Sequence, residues 1–85
     1  MKRIIIDVRE PAEYVRGHVD GAINIPPSQL IKPDALNNIP KDAEVILYCV
    51  SGSRSNVSMH ILEQQGYSNV INGINKDHVN KLLAS

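Results

Sequence analysis

The stretch that decides the fold is Glu44-Val-Ile-Leu-Tyr-Cys-Val-Ser-Gly-Ser-Arg-Ser55. Its residues 45–48 form a short, continuous apolar run, the pattern of a strand buried on both faces. Cys49, the only cysteine of the chain, ends that run. Gly52 marks a tight loop, and a helical pattern starts at Arg54. The segment reads as strand, loop and helix N-terminus, with a thiol at the strand's carboxyl end.

That placement has chemical content. The first turn of a helix leaves backbone N–H groups without intrahelical partners, at the positive end of the helix dipole. A loop curled there aims several N–H groups at one anion. A thiol in such a cradle is stabilised as thiolate, the nucleophilic form, and Arg54 adds a positive charge. Gly52 suits a backbone that needs positive φ or close approach to an anion. Ser51, Ser53 and Ser55 offer hydroxyl donors beside Val50. A lone cysteine after an apolar strand is also commonly a small buried hydrophobe. The glycine, the arginine and the helix in register favour the functional reading.

Working outward, residues 3–8 predict a first strand, because Ile4, Ile5 and Ile6 are consecutive and β-branched. Asp7 and Arg9 fall at its carboxyl end, where open α/β sheets place their sites. Neither has a nucleophilic role to fill, and bracing of the loops is the expected use. Residues 10–17 predict a short helix, with Pro11 in the first turn, Gly17 at C′, and Tyr14 and Val15 as its buried side. After an Asp20-Gly21 turn, residues 22–25 predict a short strand with Ile23 and Ile25 on one face. Residues 27–40 predict one or two helical turns broken by prolines, with Leu30, Ile31, Leu36 and Ile39 covering the sheet. Beyond the loop, residues 54–65 predict the main helix. Its stripe is Val57, Ile61 and Leu62 with Met59 beside it, and Gly66 stands at C′. Residues 67–71 predict the next strand. Residues 74–83 predict a last helix with Val79, Leu82 and Leu83 on one stripe. Strands alternate with helices, so the expected class is α/β: a small, mostly parallel sheet flanked by helices on both faces.

The chain has 85 residues, which predicts one domain over residues 1–85. The sequence has no Trp and no Phe, so aliphatic side chains must build the core. Lys+Arg and Asp+Glu both number 9, a balance that points away from nucleic acid and acidic membrane surfaces. One cysteine excludes an internal disulfide and fits a reducing compartment. No apolar run spans a bilayer, and Asp7 ends the first run too early for a signal peptide. The expected compartment is the cytoplasm, or the periplasm where a leader has been removed. Of the histidines, His18 is the one that could serve a thiol as base, and a hydrogen-bonded structural role is expected for it. His60 is expected at an edge or in solvent, and His78 exposed. No His/Cys cluster has metal-ligand spacing, so no metal and no cofactor is expected.

Three blocks of the sequence together resemble a single-domain rhodanese, a thiosulfate sulfurtransferase-like family, and within it the small phage-shock type. The first block holds Asp7-Val-Arg-Glu10, Glu13-Tyr14 and Gly17-His-Val-Asp-Gly-Ala-Ile-Asn-Ile-Pro26. The second is Cys49-Val-Ser-Gly-Ser-Arg-Ser55, a Cys, four residues and Arg. The third holds Leu62, Gly66-Tyr67 and Val70. Each block alone is weak, and their order and spacing are specific. The resemblance implies the rhodanese fold and a persulfide mechanism. Cys49 would be the sulfur-accepting nucleophile. Val50, Ser51, Gly52, Ser53, Arg54 and Ser55 would form the substrate-binding loop, with Arg54 helping to bind an anionic donor. The implied partners are thiosulfate or another small anionic sulfur donor and a thiophilic acceptor, either of which a protein can supply. Two departures stand out. The family often has a Gly-Gly pair and a Trp near its C-terminus, where this chain has Asn72-Gly73-Ile74-Asn75 and no Trp. Many relatives also have a strand and helix ahead of the first block.

Other readings compete. Dual-specificity phosphatases that share this fold carry one more residue between Cys and Arg, and a His where this chain has Tyr48. A non-catalytic regulatory module would commonly lack the cysteine. A persulfide carrier serving a protein partner has the same residues as a free-standing enzyme.

Overall fold

The apolar runs on either side of the first loop become the two central strands. In this computed structural model, which describes residues 2–32 and 34–84, β1 (Arg3–Asp7) and β3 (Glu44–Cys49) pair in parallel from Arg3 opposite Glu44 to Asp7 opposite Tyr48. The short β2 (Ile23–Asn24) flanks β1, and β4 (Val70–Asn75) flanks β3. The order is β2-β1-β3-β4, with every pair parallel. The sheet and the two covered faces agree with the α/β class read from the sequence.

Alternation along β3 sorts the core. Val45, Leu47 and Cys49 point into one cluster, with Leu30, Leu36, Ile39, Leu62 and Tyr67. Ile46 and Tyr48 point into the other, with Val19, Ala22 and Val79. Successive side chains of a strand take opposite faces, so an unbroken apolar run is what a doubly covered strand needs. On the first face lie α2 (Pro27–Leu30) and α3 (Ser53–Gln64); on the second lie α1 (Pro11–Val15) and α4 (Lys76–Ala84).

Several local readings change. Val15 is 77% exposed and Tyr14 alone packs inward from α1, because five residues make little more than one turn. Ile23 faces solvent while Ile25 and Ala22 are buried, so the expected Ile23/Ile25 face does not form. Ile31 is exposed because α2 ends at Leu30, whereas Leu30, Leu36 and Ile39 do cover the sheet. Pro33, one of the prolines of this stretch, lies outside the described residues. The buried stripe of α3 is Ser55, Ser58 and Leu62, with Met59 and Ile61 against the same core as expected, but Val57 points to solvent. Small serines let the helix start close against the loop and β4.

The fourth strand begins at Val70, not Tyr67. Tyr67 is buried before it, with its hydroxyl 2.6 Å from the Ile39 carbonyl and 3.2 Å from that of Leu36. It ties the 34–43 segment to the end of α3. β4 then runs on through Asn72 and Gly73 to Asn75, and α4 starts at Lys76 instead of Ile74. Leu47 pairs with Asn72 and Tyr48 with Ile74, which leaves Gly73 as the extra residue of a bulge.

Candidate active site

In this strand order β1 and β3 are central neighbours, with the chain leaving β1 toward β2 and returning on the other side to β3. That reversal opens a crevice beyond the carboxyl ends of the two strands, the usual ligand position in such sheets. Cys49 closes β3 there, and Arg9 follows β1.

The Cys49 residue is only 2% exposed. Its sulfur accepts the Gly52 N–H at 3.2 Å and lies 3.5 Å from the Ser55 hydroxyl. Gly52 caps α3 with φ +94°, a left-handed conformation open to glycine at little cost, and so turns its N–H toward the sulfur. Burial pushes the thiol pKa up, but hydrogen bonds from the Ser55 hydroxyl and from the Ser55, Gly52 and Arg54 N–H groups together outweigh it. The thiol falls from 9.0 to about 7. The helix-terminal cradle read from the sequence is present around this sulfur.

Ser55 is fully buried and has one proton for three acceptors. Its oxygen lies 2.7 Å from Asn72 Oδ1, 3.1 Å from the Gly52 carbonyl and 3.5 Å from the sulfur. Asn72 completes the brace. Its Nδ2 donates to the Gly52 carbonyl at 3.1 Å, and its Oδ1 also accepts the Ile74 N–H at 2.9 Å. Ile74 holds φ +69°, rare for a β-branched residue, and packs against the Gly52 backbone. Ser51 and Ser53 are exposed and bond each other at 3.2 Å, and Val50 is exposed beside them.

The Arg54 guanidinium pairs with Glu13 through two bonds, 2.7 and 3.2 Å long. Arg54, with help from the Glu10 N–H, holds the Glu13 carboxyl down at about 2. In return Glu13 raises the Arg54 pKa, and the Cys49 thiolate adds to that rise. Nothing in the spacing announces this pair, 41 residues apart.

Asp7 and Arg9 brace the crevice, as expected. The fully buried Asp7 carboxylate accepts the Arg9 backbone N–H at 2.9 Å, the Arg9 side chain at 2.7–3.1 Å and the Tyr48 hydroxyl at 2.8 Å. Tyr48 in turn accepts the Val19 N–H at 3.0 Å. His18 stacks on Tyr14 at 3.7 Å, and its Nδ1 bonds the Tyr14 carbonyl. His60 pairs with Glu63, and His78 is exposed. Among the described residues, no group of three His, Cys, Asp or Glu could hold a metal, and no helix is long and apolar enough to cross a membrane.

A cavity of about 280 Å³ opens on the sulfur, lined by Arg9, Cys49, Val50, Asn75, Lys76 and Asp77. Arg54 is not in that lining. Sequence reasoning missed Glu13, Asn72, Lys76 and Asp77 as site residues. Glu13 stands in the first family block and Asn72 in the departure at residues 72–75, whereas nothing in the sequence marks Lys76 or Asp77.

A sequence model of the rhodanese-like domain matches residues 1–75. A sulfurtransferase of Allochromatium vinosum is 42% identical over 69 residues, covering 81% of this chain and 63% of that protein. The thiosulfate sulfurtransferase PspE of Escherichia coli (strain K12) is 40% identical over 67 residues, covering 79% of this chain and 64% of that protein. The matched part thus spans somewhat under two thirds of these relatives. A solved structure of a rhodanese with anions from E. coli superposes with a TM-score of 0.80 at 35% identity, covering 89% of each chain.

Proposed function

The chain belongs to the rhodanese-like domain family, and from that premise we propose that it is a thiosulfate sulfurtransferase working through a Cys49 persulfide. One observation carries the reading. The Cys49 sulfur is buried in a loop whose N–H and O–H groups converge on it and bring its pKa to about 7. The thiol therefore ionises near neutral pH, and the thiolate is the state that attacks sulfur.

The reaction has two halves. The Cys49 thiolate attacks the outer sulfur of thiosulfate. A new S–S bond forms to Cys49, the bond from the outer sulfur to the sulfonate sulfur breaks, and its electron pair leaves with sulfite. A thiophile, cyanide in vitro, then attacks the outer sulfur of the persulfide. The Cys49 S–S bond breaks, its pair returns to Cys49 as thiolate, and thiocyanate leaves. Atoms and electrons balance without a cofactor. The nucleophile and the persulfide are both anions, so the same fixed donors serve both states without rearranging. Cys49 is the catalytic residue in this scheme. Val50, Ser51, Gly52, Ser53, Arg54 and Ser55 hold the transferred sulfur and the donor, with Arg54 contributing its backbone N–H at the sulfur. A persulfide donor, small or protein-borne, enters the same chemistry.

Steady-state thiosulfate:cyanide turnover tests the proposal. Cys49→Ser should form no thiocyanate above background while keeping its far-UV circular dichroism. Full activity in that variant would overturn the mechanism. Wild-type protein that forms thiocyanate only with a partner protein present would be a carrier loaded by that partner.

A further inference from the structure

Three cations stand near the Cys49 sulfur, and two are already neutralised. Arg9 is held by Asp7, with Nη2 to Oδ2 at 2.7 Å, and Arg54 by Glu13, with Nη1 to Oε1 at 2.7 Å. Lys76 makes no side-chain hydrogen bond or ion pair among the described residues. It is the first residue of α4 and lines the cavity above the sulfur. Its Nζ sits over Gly17, 3.4 Å from where a Cβ on that glycine would stand. The Gly17 carbonyl in turn accepts Arg9 Nη2 at 2.7 Å. Lys76 and Arg9 therefore converge on one wall of the cavity that holds the thiol.

We propose that Lys76 is the residue that selects the charge of the incoming sulfur donor, by pairing with the anionic group distal to the transferred sulfur. This deepens the sulfurtransferase reading and rests on it for the identity of the donor. Available charge distinguishes the three cations. A guanidinium already held by a carboxylate presents little net field to a second anion, whereas an ammonium without a carboxylate partner presents its full charge. The cavity, about 280 Å³, sits just below the roughly 300–1,000 Å³ range of drug-sized sites. It therefore suits a compact anion, or the reacting end of a larger donor. Asp77 lines the same cavity with the opposite sign, and it is exposed. It disfavours a donor with a second, outlying negative charge. The pair sets a preference for one compact anionic group, such as a sulfonate, beside the sulfur that moves.

The test uses the full chain and needs no sulfur transfer for its first readout. Cys49 is alkylated with anionic iodoacetate and with neutral iodoacetamide, and the ratio of the two rates is taken for wild type, Lys76→Ala, Lys76→Arg and Asp77→Asn. Lys76→Ala should lower the iodoacetate:iodoacetamide ratio about three- to tenfold, the size expected of one partly screened charge. Lys76→Arg should restore the ratio and Asp77→Asn should raise it. Both reagents attack the same thiolate, so any shift of its pH midpoint cancels in the ratio. The second readout is the KM for thiosulfate, which should rise by a similar factor in Lys76→Ala with kcat little changed. An unchanged alkylation ratio in Lys76→Ala overturns the assignment, as does an unchanged KM in a protein that turns thiosulfate over. Wild-type protein that shows the alkylation preference but no turnover of thiosulfate, cyanide being present, would instead sink the sulfurtransferase reading and leave the charge selection in place.

Discussion

At the scale of the residue, reactivity turns on one proton. Ser55 can give its hydrogen to Asn72, to the Gly52 carbonyl or to the sulfur, and its hydroxyl is the largest influence lowering the Cys49 pKa. Alkylation of Cys49 by a neutral reagent should rise with pH as thiolate forms, reach half its plateau near pH 7 and level off above it. In Ser55→Ala the midpoint should move up toward the ordinary thiol range, because burial still opposes charge and one donor is gone. A stopped-flow pH profile of both proteins checks this, and coincident midpoints would contradict it. Cys49 and its loop were legible in the sequence because their chemistry is local: a strand end, a glycine and a helix start lie within seven residues. Glu13, Asn72 and Lys76 were not, because each acts through a partner or cavity distant in the chain. A charge pair 41 residues apart leaves no periodic trace.

At the scale of the element, the tightest constraint lies where β4 bulges. A Cβ on Gly73 would stand 2.5 Å from Val79 Cγ2, 2.9 Å from Ile46 Cγ2 and 3.1 Å from the Leu47 carbonyl. The bulge lets α4 press on the sheet through Val79 and re-aims Ile74 and Asn75 at the site. Gly73→Ala should destabilise the fold by about 1–3 kcal/mol, as overpacking of a closed site does. Urea denaturation measures it, and a neutral result would mean that the helix shifts freely. The first and third strands were readable because doubly covered strands are unbroken apolar runs. The fourth was misplaced because Asn72, Gly73 and Asn75 interrupt its apolar pattern, while the β-formers at 67–71 look more strand-like than the segment that pairs. The main helix was placed within a residue, and of its expected face Leu62, Ile61 and Met59 pack on the core while Val57 does not. Close approach to the loop requires serines where periodicity expects aliphatic residues.

At the scale of the molecule, the crevice is held open from behind by Asp7. Fully buried, it joins the end of β1 to Arg9 and to Tyr48 on β3, and through Tyr48 to Val19. Asp7→Ala strands the Arg9 charge and the Tyr48 hydroxyl, and should cost about 3–5 kcal/mol, the usual effect of halving a buried ion pair. An 85-residue domain has little stability to lose, so thermal unfolding should drop well below wild type or occur below room temperature. An unchanged melting temperature would show that solvent reaches the network. The α/β class followed from the alternation of strands and helices, and the crevice from strand order. What the pattern did not carry was the set of charges around the crevice, since neutralised and available cations look alike in a sequence. Sulfur must first reach Cys49, and intact-mass spectrometry after incubation with thiosulfate, without reductant, tests that directly. The expected result is a gain of one sulfur atom that cyanide removes and Cys49→Ser never acquires. No gain in folded protein with a free thiol would contradict it.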